Sequence, residues 1–160
     1  MGYCKQAAYY SGQTRGHVEH VRIGIWSVHC DVAATRRAYE RIAEHPPAPC
    51  AGCRNLAALT ADAYPADLCG LLHRLGIDPR FPAEVYWLGG PLDSGEHLYE
   101  GWYYFVGTLD EEIDALEHLD ERTTLFFTGN SRALLPEAFR EQPTVQLAFS
   151  IATMGSRRKH

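Results

Sequence analysis

No stretch of this chain approaches the ~18 consecutive apolar residues that a membrane-spanning helix needs, because Arg, His or Glu breaks the longest runs. A helical span through a bilayer is not expected, and no membrane partner with it. Excess positive charge is also missing. Fifteen Lys and Arg face twenty Asp and Glu, a formal net charge of −5, so no broad electropositive surface is available to neutralise phosphates. Nucleic acid drops out as an expected partner. The five cysteines, at positions 4, 30, 50, 53 and 69, lack the even framework of a small secreted scaffold. The first sixteen residues hold no apolar run of signal-peptide length. Both absences point to a cytoplasmic protein with free thiols or a metal site. The sequence has no GxSxG elbow, HExxH, GxGxxG, P-loop or EF-hand loop, which removes the usual hydrolase, zincin, dinucleotide, nucleotide and calcium signatures. No nucleotide cofactor is indicated.

What is present suffices for a core. Hydrophobic residues make up 46% and charged residues 22% of 160 positions, the composition and length of one globular domain. Val21 to Cys30 is rich in β-branched and aromatic residues and reads as one strand, with Val21, Ile23 and Ile25 on its buried face. Asp31 can cap a following helix that runs to Glu44, before Pro46-Pro47. A second, Ala-rich helix opens at Cys50 and ends near Tyr64. Pro65 starts a third, in which Leu68, Leu71, Leu72 and Leu75 form a stripe and Gly76 stands at C′.

Residues 84–88 and 97–106 read as a pair of strands around a Gly- and Pro-rich turn, and 123–128 as another. In the last strand Val145, Leu147, Phe149 and Ile151 alternate with polar or small residues. Between them, Thr108-x-x-Glu111 resembles a capping box, and Leu109, Ile113 and Leu116 predict a helix with an acidic outer face. The order gives an α+β fold: a mixed, mainly antiparallel sheet of about five strands with helices packed on it. Residues 17–154 form the single domain, 1–16 a flexible N-terminal segment and 155–160 a disordered tail.

The sharpest chemical signal is Cys50-Ala51-Gly52-Cys53. Two intervening residues let both sulfurs approach one ion, or each other, across a single turn. At a helix start, the unpaired N–H groups and the positive dipole end favour the thiolate, the form that ligates metal or attacks a disulfide. The leading expectation is a zinc-binding module with Cys50, Cys53, Cys30 and His45 as ligands, and His29 and Cys69 as further candidates. An iron–sulfur cluster on cysteines 30, 50, 53 and 69 ranks lower, because their spacing matches neither common ferredoxin pattern.

The competing expectation is an enzyme. Cys50 would attack and Cys53 resolve in a thiol redox pair, or an open metal position would hold water, with His29 as a candidate general base. The plain alternative is an interaction protein whose cysteines merely pack. His17 and His20 form an HxxH fragment too common to carry weight, and the four Glu-His dipeptides do not make dyads, since neighbouring side chains diverge. Trp102 and Tyr104, with Trp87 across the turn, are the candidate substrate-binding aromatics. A small molecule, a protein or a second copy of the chain is left open as partner.

Overall fold

In the computed structural model, which describes residues 17–48, 50–58 and 64–154, Gly24 splits the first expected strand in two. β1 (Val18–Ile23) and β2 (Trp26–Asp31) are antiparallel, with Gly24 and Ile25 as the turn and Gly24 at a φ of 55°. That left-handed conformation is the one glycine adopts freely. The turn also changes the burial pattern. Ile25 lies at the tip, 48% exposed, while Trp26, Val28 and Cys30 on β2 join Val21 and Ile23 in the core.

Asp31 caps α1 (Val32–Glu44) as expected, its side chain accepting the Ala34 N–H at 2.9 Å. α2 (Ala51–Ala58) starts at the CxxC segment, and the rest of that expected helix lies outside the described residues. α3 (Ala66–Arg74) buries the leucine stripe, and Gly76 follows with a φ of 78°. β3 (Glu84–Gly89), β4 (Glu96–Leu109), β5 (Glu117–Asp120), β6 (Thr123–Thr128) and β7 (Thr144–Met154) complete the sheet. A single 3-10 turn at Glu137–Phe139 precedes β7.

The sheet has seven strands rather than about five, and every described pairing is antiparallel rather than mixed. The α+β class stands. The additional strands are the second arm of the first hairpin and β5. The order is β1-β2-β4-β7-β6-β5, and β3 also pairs with β4. β4 is the spine. β7 runs along one edge of it, while β2 and β3 pair with different parts of the other, at Gly107–Leu109 and Leu98–Trp102.

The expected alternation in β7 holds: Val145, Leu147, Phe149 and Ile151 are all buried. Tyr103 lies opposite Leu147, stacks on Phe149 at 5.5 Å, and shares a 2.7 Å hydroxyl contact with Tyr64 just before α3. This links the helical layer to the sheet through apolar rings whose polar tips are satisfied.

The helix expected over Leu109–Leu116 does not form. Leu109 ends β4, opposite Val28 of β2, and the Asp110 N–H donates to the Ser27 carbonyl at 3.1 Å. Sheet pairing therefore takes the backbone groups that a helix start would use, and tertiary context overrides the capping pattern. Leu116, assigned to a buried stripe, is 62% exposed. The expected flexible start, 1–16, and tail, 155–160, lie outside the described residues.

Candidate functional site

Two clusters of chemistry-bearing side chains emerge among the described residues, on different parts of the sheet. The first is the CxxC turn. Cys50 immediately precedes α2 and Cys53 lies in its first turn. Gly52 lets the helix dock on β3: a Cβ there would stand 1.8 Å from the Val85 carbonyl oxygen. The start of α2 thus covers the outer edge of β3, as sheet proteins commonly protect such edges.

The Cys50 and Cys53 Cα atoms are 5.0 Å apart and the sulfurs are paired as a disulfide. The Cys53 backbone N–H also donates to Cys50 Sγ at 3.0 Å. This is the interaction by which a helix start stabilises a thiolate once the bond is reduced. Cys50 is half-buried and Cys53 buried, so the first is the more exposed residue of the pair. A carboxylate oxygen of Glu84, at the start of β3, lies within 4.8 Å of both sulfurs. The Val85 N–H donates to that side chain at 3.1 Å and pins it.

The other proposed ligands lie elsewhere. Cys30 is buried on β2 with its thiol toward the Leu75 carbonyl at 3.4 Å, and burial pushes its pKa up to about 12. A thiol so reluctant to ionise is a packing group at neutral pH. Cys69 is not a free thiol. His45 caps α1 and lines a cavity of about 590 Å³ with Arg41, Phe81 and Pro136. Neither Cys30 nor His45 belongs to the cluster that holds Cys50, Cys53 and Glu84.

The candidate aromatics separate too. Tyr104 is buried, and both it and half-buried Trp102 donate to the Ala133 carbonyl, at 2.6 and 3.1 Å. Trp87 is 52% exposed on β3, beside similarly exposed Tyr86 and Leu88. These three continue from Glu84 and Val85, the residues that meet the CxxC turn.

The second cluster joins His20 on β1, Ser27 and His29 on β2, and Asp110 after β4. His20 and His29 are direct cross-strand partners, with rings stacked at 4.7 Å. His29 Nε2 meets Asp110 Oδ1 at 2.6 Å, and Ser27 Oγ donates to Oδ2 at 2.6 Å. His20 Nε2 makes a short contact with Ser27 Oγ. The Ser27 and His29 hydrogen bonds, in that order, hold the Asp110 pKa below the usual carboxylate value.

Sequence reasoning singled out His29 but not its partners. The carboxylate that meets it is 81 residues away, not in a Glu-His dipeptide. Asp110 looked like one of several acids on a helix, and no local signal marks it out. Only the β2–β4 register brings it in.

Comparison with family models, curated proteins and solved structures gives no match. No described helix is long and apolar enough to cross a membrane.

Proposed function

We propose that this protein is a thiol–disulfide exchange module in which Cys50 is the attacking sulfur and Cys53 the resolving one. The observation that supports this most is the pairing of the two sulfurs at the start of α2, with the Cys53 N–H directed at Cys50 Sγ. In the reduced form the Cys50 thiolate attacks one sulfur of a substrate disulfide, that S–S bond breaks, and the departing sulfur leaves as a thiolate. Cys53, after losing its proton to Glu84 or solvent, attacks the Cys50 sulfur and releases the second substrate thiolate. The dithiol has then given two electrons to the substrate. An external dithiol restores it.

Tyr86, exposed on the same face of β3 as Glu84, is the recognition residue in this reading, with exposed Trp87 and Leu88 following it along the strand. A second reading is favoured by one observation. Glu84 gives the reduced pair a third ligand atom, so two thiolates and a carboxylate could hold zinc, with a fourth position left for water.

Trapping tests the first reading. Cys53→Ser incubated with a peptide disulfide should accumulate a mixed disulfide at position 50, whereas Cys50→Ser should accumulate none at position 53. Equal trapping at both positions, or at neither, would contradict the assigned roles. Zinc held by the reduced wild type and lost by both variants, without trapping, would favour the second reading.

A further inference from the structure

The cluster at the β1–β2–β4 corner invites comparison with a serine nucleophile site, since it contains serine, histidine and aspartate. The hydrogen bonds argue otherwise. Ser27 and Asp110 oxygens lie 2.6 Å apart, a distance an ionised carboxylate tolerates only if the hydroxyl proton points at it. With that proton committed, Ser27 Oγ accepts from His20 Nε2. No base is left to activate the hydroxyl, and the order of groups is wrong for a relay.

The same arrangement suits a cation. His20 and His29 both turn Nε2 toward the Asp110 carboxylate, and one ligand atom from each of the three residues lies within 4.8 Å of the others. His29 Nε2 is 2.6 Å and His20 Nε2 3.7 Å from Asp110 oxygens, separations that bracket those between ligands about 2.0–2.2 Å from one metal. On binding, each neutral ring would carry its proton on Nδ1 and present the Nε2 lone pair.

Three strands fix the ligands. The β1–β2 ladder aligns the two imidazoles, the β2–β4 ladder pairs His29 with Thr108, and the Asp110 backbone donates to Ser27. The side chains are partly exposed, at 55% for His20, 38% for His29 and 50% for Asp110, so remaining coordination positions face water. Two imidazoles and one carboxylate match zinc, cobalt or nickel. Magnesium and calcium prefer all-oxygen shells.

We propose that His20, His29 and Asp110 form a binding site for a divalent transition-metal ion, open to solvent and independent of the CxxC turn. The test uses untagged full-length protein, stripped with chelator and titrated with cobalt(II) or zinc(II) by calorimetry and visible absorption. Wild type should bind one ion at this site without a sulfur-to-cobalt charge-transfer band.

His29→Gln and His20→Gln should each weaken binding by at least about tenfold, the scale on which even outer-shell losses are felt. Cys50→Ser/Cys53→Ser should leave it unchanged. Circular dichroism and unfolding curves verify that the histidine variants fold, as expected for exposed side chains. Absence of binding by wild type, binding that survives loss of both imidazoles, or binding lost only with the cysteines would each overturn the proposal. None of these outcomes bears on whether Cys53→Ser traps a mixed disulfide.

Discussion

The CxxC turn and the histidine corner carry comparable chemistry but are built in opposite ways. Cys50 and Cys53 are three residues apart, and one helix start places both sulfurs. His20 and His29 come from two strands and Asp110 from the residue just after a third, and the β1–β2 and β2–β4 registers place them. The first site depends on a helix docked at the edge of the sheet. The second depends on the sheet itself. A local site can therefore be damaged while the fold survives, whereas a site made from strand pairing shares the stability of the core beneath it.

Paired glycine substitutions should separate the two regions most strongly. At Gly107, opposite Cys30 in the β2–β4 ladder, an added Cβ would lie 2.0 Å from the His29 carbonyl oxygen. β2 cannot retreat without unpacking Trp26, Val28 and Cys30. Gly107→Ala should therefore cost at least about 3 kcal/mol, the upper end of ordinary overpacking, as read by urea unfolding. Gly52→Ala creates an equally close clash with Val85, but α2 can lift from the sheet edge. A loss of about 1–2 kcal/mol is expected there, together with loss of thiol exchange. Equal losses at the two positions would show that α2 is as integral to the fold as the β2–β4 ladder.

Next in size is the disulfide. A bond closing so short a loop restricts the unfolded chain by about 2 kcal/mol at most, so reduction or Cys50→Ser should lower unfolding free energy by no more than that. A much larger loss would mark the bond as a structural staple. The smallest effect belongs to Asp110. Its folded pKa is depressed, so its contribution is present above the unfolded aspartate pKa and is lost as pH falls through the lowered folded value. Asp110→Asn should flatten that part of the stability–pH curve slightly, because the group is exposed. An unchanged slope in acid would show that the hydrogen bonds from Ser27 and His29 do not distinguish folded from unfolded chain.

The same contrast explains how much could be read from the sequence. Elements set by local pattern were legible: the Asp31 cap, the leucine stripe of α3 with Gly76 beyond it, the alternating β7, and the CxxC turn at the start of α2. Elements decided by partners were not. Thr108-x-x-Glu111 has a helical pattern, but β2 holds Leu109 and Asp110 extended. Gly24-Ile25 hid a two-residue turn, because an apolar residue at its tip continues the strand pattern. The zinc ligand set failed to assemble for the same reason: residue type named Cys30 and His45, but their strand and helix ends place them away from Glu84. The backbone carbonyl of Ala133, which receives Trp102 and Tyr104, was beyond any local signal.

If Cys50 and Cys53 interconvert as a pair, equilibrium titration in glutathione buffers with quantitative alkylation and mass spectrometry reads it directly. Both sulfurs should change state together along one two-electron curve, tenfold in equilibrium constant for each ~30 mV, while buried Cys30 resists alkylation until the protein unfolds. Independent titration of the two sulfurs, or a bond that stays oxidised through the whole range of the glutathione buffers, would contradict it.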